Sequence, residues 1–190
     1  GRPRGRPFAN GRNRVNIHEY QAKALLSEYG VPIATGGLAY SPEQAAYRAK
    51  EIGGEKWVVK AQIHSGARGK AGGIRMCADE NEVWEAADDL LGRRLVTNQT
   101  GPAGKGVYRL YIEPVVPFER ELYLSMVLDR QTERIVLVMS GSGGLEIEEL
   151  AEPDPGAIHR THIEPRLYGN CRTLLALYHC VLRTLAYCVL

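Results

Sequence analysis

The sequence has few cysteines, and none of them lies in the close pairs that bind zinc or form redox motifs. Cys77, Cys171, Cys180 and Cys188 are at least eight residues apart, so we interpret them as structural or adventitious thiols. No secretory apolar segment opens the chain. The C-terminal apolar run is interrupted by Arg183, which leaves it shorter than the roughly 20 residues of a membrane span. We therefore expect a protein of a reducing, cytoplasmic setting with no membrane partner.

Acidic residues are absent from the first fourteen residues, which carry five arginines. Without those five charges the formal net charge of +2 becomes −3, so the rest of the chain lacks the broad basic face of a globular nucleic-acid binder. The tail contains "PRGRP", which resembles the core of an AT-hook. Because one five-residue match in an arginine-rich tail is a weak signal, we favour a solvated tail over a nucleic-acid contact.

Composition divides the chain into three zones. Residues 1–14 have almost no apolar side chains and are predicted to form a disordered basic tail. Residues 15–165 alternate between helix and strand patterns and form the predicted domain. Residues 166–190 contain three of the four cysteines and no acidic residue, and they form a divergent apolar tail.

The first predicted helix begins after the N-cap Asn16 and ends at Gly30. Its spacing predicts an apolar stripe made of Ile17, Tyr20, Ala24 and Leu25.

The remaining predicted elements give a mixed or antiparallel sheet rather than a doubly wound one. A second helix runs from the capping residue Ser41 to Gly53, and a third covers residues 80–91. Five strand patterns cover residues 56–63, 73–77, 107–116, 120–130 and 133–141. The short polar turn "DRQTE" between the last two predicts an antiparallel pair.

A glycine-rich loop, "KAQIHSGARGKAGG", occupies residues 60–73. Glycines let backbone amides approach phosphate oxygens, and lysine or arginine supplies the compensating charge. A P-loop is excluded because Ala71, not serine or threonine, follows Lys70, and a dinucleotide fingerprint is excluded because a strand follows the loop. Two alternatives are left: a flap folded over a nucleotide, or a mobile hairpin loop with solvated charges.

Longer motifs carry a family resemblance over residues 15–165. They are "NIHEYQAKALLSEYGVPIATG", "WVVKAQIHSGARGKAGGIR", "LLGRRLVTNQTGPAGKGV", "RELYLSMVLDR" and "IHRTHIEP". Together they resemble the N-terminal part of the β subunits of succinyl-CoA synthetase (succinate–CoA ligase), a family that includes malate–CoA ligase. The resemblance implies an α+β fold: a partial ATP-grasp domain with mixed or antiparallel sheets and flanking helices.

The resemblance also implies a nucleotide site. Lys60 matches a lysine that contacts nucleotide phosphate. Ala67, Arg68 and Gly69 match a nucleotide-binding Gly-Arg-Gly triplet, in which the alanine is tolerable only if its φ stays below zero. For His64, in the same loop, we expect a hydrogen-bonded structural role rather than a phosphate contact.

Three further positions carry over to the base and ribose side of the nucleotide. Glu113 matches the hinge residue beside the base and ribose, Val116 a position used through its backbone, and Glu121 a second acid. The sequence departs from the family pattern at residues 140–144, where "SGSGG" replaces the family's Ser-Thr-Glu-Gly-Gly. The acidic residue is lost, so the function of that segment is left open.

The family pattern ends near Arg166. We therefore expect the chain to lack the second half of the ATP-grasp domain, its asparagine and aspartate ligands for Mg²⁺, and the CoA-ligase domain. The implied reaction converts succinyl-CoA, phosphate and ADP into succinate, CoA and ATP in the citric acid cycle, through a phosphohistidine on an α subunit. None of the five histidines here is expected to be that residue. Three pairs of alternatives stay open. The acid is succinate or malate, the nucleotide is ADP or GDP, and the chain is part of an active subunit or a non-catalytic truncated nucleotide-binding or interaction module.

Overall fold

The structure is a computed structural model that describes residues 16–143 and 155–163. The helices are α1 (Glu19–Glu28), α2 (Pro42–Ile52) and α3 (Glu80–Leu90). The strands are β1 (Gly37–Ala39), β2 (Trp57–Ala61), β3 (Ile74–Cys77), β4 (Arg94–Leu95), β5 (Lys105–Gly106), β6 (Leu110–Pro114), β7 (Tyr123–Asp129), β8 (Arg134–Ser140) and β9 (Ile158–Ile163). The predicted tails, residues 1–14 and 166–190, lie outside the described residues.

A four-stranded antiparallel sheet in the order β1-β6-β2-β3 forms the centre of the fold. Helices α2 and α3 pack against one of its faces. Their small apolar positions and the inward residues of the strands form one core, whose largest fully buried members are Leu90, Leu95, Leu110, Ile112, Val59, Val83 and Val107. The predicted antiparallel sheet with flanking helices is confirmed.

Helix α2 has the predicted ends, and α3 begins as predicted and ends at Leu90, one residue before its predicted end. The Ser41 hydroxyl accepts a hydrogen bond from the Gln44 N–H at 3.2 Å, and α2 stops at Gly53, whose φ of +74° suits a residue without a Cβ. Helix α3 begins at Asp79, whose carboxylate accepts from the Glu82 N–H at 2.8 Å. Within the described residues no helix is long and apolar enough to cross a membrane.

Helix α1 differs from the prediction at its start and in the face it buries. The N-cap is His18 rather than Asn16, and the His18 N–H donates to the side chain of Gln21 at 2.8 Å. The apolar stripe was wrong, because Ile17 and Leu25 are 47% and 48% exposed. Lys23 is the buried residue of this helix, so α1 turns a charged face toward the sheet.

A second sheet has the order β7-β8-β9, again antiparallel. The hairpin between β7 and β8 confirms the pair predicted from the turn "DRQTE". Strand β9 and the short β4–β5 ribbon were not predicted. Val136, Val138 and Ile158 form a small buried cluster on one face of this sheet.

Candidate functional site

Lys60 and Glu113 lie on the same face of the central sheet. Strands β2 and β6 pair so that Lys60 is opposite Tyr111 and Val58 is opposite Glu113. Because side chains alternate along a strand, Val59 points into the core with its neighbours, whereas Lys60 and Glu113 project from the other face. Their side chains form an ion pair. The sheet register therefore brings together two residues that are 53 positions apart in the sequence.

Helix α1 covers this pair with two charged residues one turn apart. Lys23 forms an ion pair with Glu113 and lies 3.3 Å from the Glu19 carboxylate. The same Glu19 oxygen accepts from Lys60 Nζ at 3.2 Å, and its other oxygen accepts from Arg68 at 2.9 Å. We call these five residues the buried charge cluster. Their side chains are all at most 15% exposed, and three cations face two carboxylates.

The cluster keeps Glu19 ionised. Burial by itself raises the pKa of Glu19, but the charges of Lys60, Arg68 and Lys23 outweigh it and lower the pKa to about 2. The neighbouring phenol responds in the opposite direction, because burial and the nearby carboxylates raise the pKa of Tyr111 to about 12. Glu19 is therefore a carboxylate, and Tyr111 a neutral phenol, throughout the physiological range.

Arg68 fastens the glycine loop to the sheet and to α1. Its guanidinium donates to the Ala61 carbonyl at 2.8 Å and to the Glu19 carboxylate at 2.9 Å. Its own carbonyl accepts from the Gly73 N–H at 2.7 Å. This side chain points inward, so its guanidinium is engaged by the chain itself in this structure.

The first half of the loop is held by the segment after β4. The hydroxyls of Ser65 and Thr97 are 2.6 Å apart, and the Gly66 N–H donates to the Gln99 side chain at 2.8 Å. Both contacts join parts of the chain more than 30 residues apart. The loop connects antiparallel strands, as the flap hypothesis requires, and these contacts oppose the alternative of a freely solvated hairpin.

Ala67 has a φ of +56°, so the condition of a φ below zero that we set for an alanine at this position is not met. The left-handed conformation is needed because the chain makes a tight turn here, with the Ala71 N–H donating to the Ala67 carbonyl and the Gly72 N–H to the Gly69 carbonyl. Alanine adopts this region at a cost of about 1–2 kcal/mol. Within the described residues, the N–H groups of residues 67–69 donate no hydrogen bond to another part of the chain.

An open cleft of about 360 Å³ lies beside the loop. It is lined by Asn16, Ile17, Glu19, Ile63, His64, Ser65, Gly66, Arg68 and Gln99. His64 does not have the hydrogen-bonded role we expected within the described residues; its ring stacks on His18 with centroids 3.8 Å apart. Burial, together with the charges of His64, Arg109 and Arg68, lowers the pKa of His18, so this side of the cleft favours a neutral imidazole beside cationic groups.

A family model described as an ATP-grasp domain matches residues 16–175. The chain belongs to the ATP-grasp domain family. The ATP-grasp domain that the motifs implied is thus confirmed, and so is its partial α+β fold.

Two curated relatives show which ATP-grasp proteins the chain resembles in sequence. It is 59% identical over 151 residues to a probable malate–CoA ligase subunit β of Mesorhizobium japonicum. It is 52% identical over 151 residues to the succinate–CoA ligase [ADP-forming] subunit β of Parvibaculum lavamentivorans. Both matches cover 80% of this chain but only 38% and 39% of the relatives. The chain therefore spans less than half of the length of these β subunits.

Solved structures support the fold of this ATP-grasp domain. A dinucleotide-forming acetyl-coenzyme A synthetase 1 of Ca. Korarchaeum cryptofilum superposes with a TM-score of 0.59 at 22% identity, over 78% of this chain and 61% of that one. ATP citrate lyase from Methanothrix soehngenii gives a TM-score of 0.54 at 23% identity, over 78% of this chain and 34% of that one. At these identities the likeness shows the fold alone.

Two predicted site residues of the ATP-grasp domain lie away from the buried charge cluster. Val116 follows β6 and is 44% exposed. Glu121 precedes β7, and its carbonyl accepts from the Gly143 N–H at 3.0 Å. Within the described residues, no hydrogen bond or ion pair joins the Glu121 side chain to Lys60 or Glu113. The segment 140–143 turns back on itself through a 3.2 Å bond from the Ser142 N–H to the Ser140 hydroxyl.

Sequence reasoning missed Glu19 and Lys23. Both lie in the motif "HEYQAK" and are four residues apart, the spacing that places two side chains on the same face of a helix. We expected α1 to bury an apolar stripe, and for that reason we did not assign Glu19 and Lys23 to its inward face. Buried strands that carry charged residues such as Lys60 and Glu113 need compensating charges nearby, and this requirement was the available signal.

The described residues offer no ready site for a divalent metal. Within 16–143 and 155–163 no group of three or more histidine, cysteine, aspartate or glutamate side chains is placed to hold one, and both carboxylates of the buried charge cluster are paired with cations. Cys77 is a buried free thiol whose pKa is raised to about 11 by burial and by Glu82 and Asp79. It is therefore a poor ligand or nucleophile at neutral pH.

Proposed function

We propose that this ATP-grasp domain binds the adenine nucleotide, ATP or ADP, of an acid–CoA ligase, as part of a β subunit of the succinate or malate type. The observation that carries the proposal is the surplus of positive charge beneath the glycine loop. Three cations meet two carboxylates at the base of a loop with unused backbone amides. A site of this kind favours a polyanion that is bound by both amides and cations.

Lys60 is the proposed phosphate contact. It extends from the buried strand β2, whose five residues are all buried, so its position is fixed by the sheet rather than by a loop. Phosphoryl transfer depends mainly on positioning and on the stabilisation of charge, and a lysine on a rigid strand supplies both. The amides of residues 67–69 add donors from the loop above it.

The proposed base and ribose contacts follow from the family resemblance. Glu113, the last residue but one of β6, would lie beside the base and ribose. Val116 would contribute its backbone in the connection after the strand, and Glu121 would supply a second acid. The exposure of Val116 is compatible with a backbone contact. In the structure, the guanidinium of Arg68 fixes the loop to β2 and to α1.

The complete reaction is proposed from the relatives and needs more than this segment. Succinyl-CoA, phosphate and ADP would become succinate, CoA and ATP in the citric acid cycle of the cytoplasm, with an α subunit carrying the phosphohistidine. Magnesium, when bound, neutralises charge on the phosphates. Its ligands are proposed to belong to the part of the β subunits that lies beyond the matched segment.

A malate–CoA ligase β subunit is the second candidate. The relative with 59% identity carries that name, whereas the succinate–CoA ligase subunit described above is 52% identical and another such subunit is 48% identical. A non-catalytic nucleotide-binding or interaction module is a third. All three share the nucleotide site and differ only in the reaction that it serves.

Titration of the 190-residue chain with ATP, GTP and inorganic sulfate, followed by heteronuclear NMR, tests the nucleotide site. We expect saturable shifts with ATP in residues 60–73 and around Glu113, with a dissociation constant of about 1 mM because few contacts are available. Sulfate should give smaller shifts confined to the loop. Absence of saturable shifts with any nucleotide would overturn the proposal, and equal responses to ATP and GTP would overturn the adenine preference.

A coupled assay of ATP formation tests the reaction. The chain is supplied with ADP, phosphate, Mg²⁺ and either succinyl-CoA or malyl-CoA, with and without a recombinant α subunit, and a full-length β subunit is the positive control. We expect no turnover from the chain alone, because the phosphohistidine belongs to the α subunit. Turnover without the α subunit would contradict that assignment, and the thioester that supports turnover in the positive control separates the two acids.

A further inference from the structure

The proposed phosphate contacts are already engaged by a carboxylate. Lys60 Nζ and the Arg68 guanidinium donate to opposite oxygens of Glu19, at 3.2 and 2.9 Å. Gln62 Nε2 adds a third donor at 3.3 Å, and Lys23 Nζ is 3.3 Å away. Four donors around one buried carboxylate resemble the environment that a phosphate group requires.

We propose that Glu19 is an internal anion that occupies the phosphate position and sets the nucleotide affinity of the domain. Nucleotide phosphate and the Glu19 carboxylate compete for Lys60 and Arg68, so binding requires α1 to release its hold on both cations. The inference rests on the proposed function, because it assigns a competitor to the same site.

The geometry favours competition over a permanent structural link. The side chain of Lys60 is only 10% exposed, and that of Glu19 is 9% exposed, so a phosphate cannot reach Lys60 while Glu19 is in place. Glu19 also lines the 360 Å³ cleft beside the loop. An anion that enters this open cleft would therefore reach Lys60 and Arg68 at the position of the Glu19 carboxylate.

The packing of α1 makes such a release feasible. Its one buried residue is Lys23, while Leu25 within the helix and the flanking Ile17 and Tyr29 are 46–48% exposed. Polar contacts therefore contribute most of what holds this helix to the sheet. The contacts of Lys60 and Arg68 with Glu19 can be exchanged for contacts with another anion. Release of a buried apolar face, by contrast, would lose the free energy of burying that face.

Charge balance gives the direction of the effect. With Glu19 in place, three cations face two carboxylates; when phosphate displaces it, Lys60 and Arg68 acquire a partner that carries more negative charge. Removal of the Glu19 charge should therefore strengthen phosphate binding. If Glu19 only positioned Lys60, removal of its charge would weaken phosphate binding, because Lys60 would be misplaced.

The test compares ATP affinity in wild type, Glu19→Gln and Glu28→Gln. Glu28 lies in the last turn of α1 and is exposed, so it controls for a change of one charge on the same helix. We expect Glu19→Gln to bind ATP about tenfold more tightly, which corresponds to 1.4 kcal/mol, and Glu28→Gln to bind as wild type does. Unchanged or weaker binding by Glu19→Gln, while wild type binds, overturns this inference and leaves the nucleotide site standing. If neither wild type nor variant binds ATP, the proposed function and the inference both fail.

A measurement on the wild-type chain covers the case in which Glu19→Gln does not fold. Hydrogen exchange followed by mass spectrometry reports peptides from α1 and, as an internal reference, from α3. We expect ATP to accelerate exchange in α1 severalfold without changing α3, because ATP takes Lys60 and Arg68 away from Glu19. Slower or unchanged exchange in α1 at saturating ATP would overturn the inference.

Discussion

Lys60 on β2 and Glu113 on β6 are diagonal neighbours on antiparallel strands, joined by an ion pair on the face away from the core. Lys23 of α1 reaches the same Glu113 carboxylate. The sheet thus fixes two proposed nucleotide contacts, while a helix that is adjacent to neither strand in sequence neutralises them. Burial of unpaired charges would cost several kcal/mol, and this cost explains why α1 turns a charged face inward.

Truncation of Leu90 and Leu25 should separate the core from the exposed face of α1. Leu90 of α3 is fully buried and Leu25 of α1 is 48% exposed. We expect Leu90→Ala to lower the free energy of unfolding by about 2–5 kcal/mol and Leu25→Ala by less than about 0.5 kcal/mol. Urea unfolding followed by circular dichroism measures both. A large loss of stability in Leu25→Ala would show that α1 buries the apolar stripe that the sequence suggested.

Replacement of Ala67 by glycine should stabilise the loop. A residue with a Cβ at a φ of +56° is disfavoured by about 1–2 kcal/mol. Glycine removes this cost, but part of the gain in stability is lost because the unfolded chain with glycine has more conformational freedom. We expect Ala67→Gly to raise the free energy of unfolding by about 0.5–1 kcal/mol. Ala71→Gly, four residues further along and not in a positive-φ conformation, is the matched control and should lower it. A loss of stability in Ala67→Gly would show that this turn does not store strain.

Acid should weaken the buried charge cluster through Glu19. A carboxyl group whose pKa is lowered from 4.5 to about 2 by folding contributes stability above pH 4.5 and loses it as the pH falls toward 2. The full contribution is roughly 3 kcal/mol. We expect the free energy of unfolding of Glu19→Gln to fall less than that of wild type over this range, with Glu28→Gln behaving as wild type. Parallel pH curves for wild type and Glu19→Gln would contradict the assigned ionisation of Glu19.

The elements that the sequence predicted best are those with local signals. Ser41 with Pro42 and Gln44, the stop at Gly53, and the turn between β7 and β8 all depend on residues within a few positions of one another. The positions of Lys60 in a strand and of residues 67–69 in the loop between two strands were predicted for the same reason.

The parts that could not be predicted depend on distant partners. The inward face of α1 is set by Lys60 and Glu113, which lie 41 and 94 residues from Glu19 in the sequence, and helical periodicity of apolar residues carries no information about them. The conformation of Ala67 is imposed by closure of the loop, through the hydrogen bond from the Ala71 N–H and the antiparallel pairing of β2 with β3. Local propensity argued against both results, and tertiary contacts decided them.

The most direct test of the nucleotide site is the affinity of Lys60→Met for ATP, compared with that of Lys50→Met. Both substitutions remove one positive charge; Lys60 lies in the buried charge cluster, whereas Lys50 is exposed in the last turn of α2. Titration by NMR should give a dissociation constant of about 1 mM for wild type and Lys50→Met and a value at least about tenfold weaker for Lys60→Met. Equal ATP affinities for Lys60→Met and Lys50→Met would contradict the account.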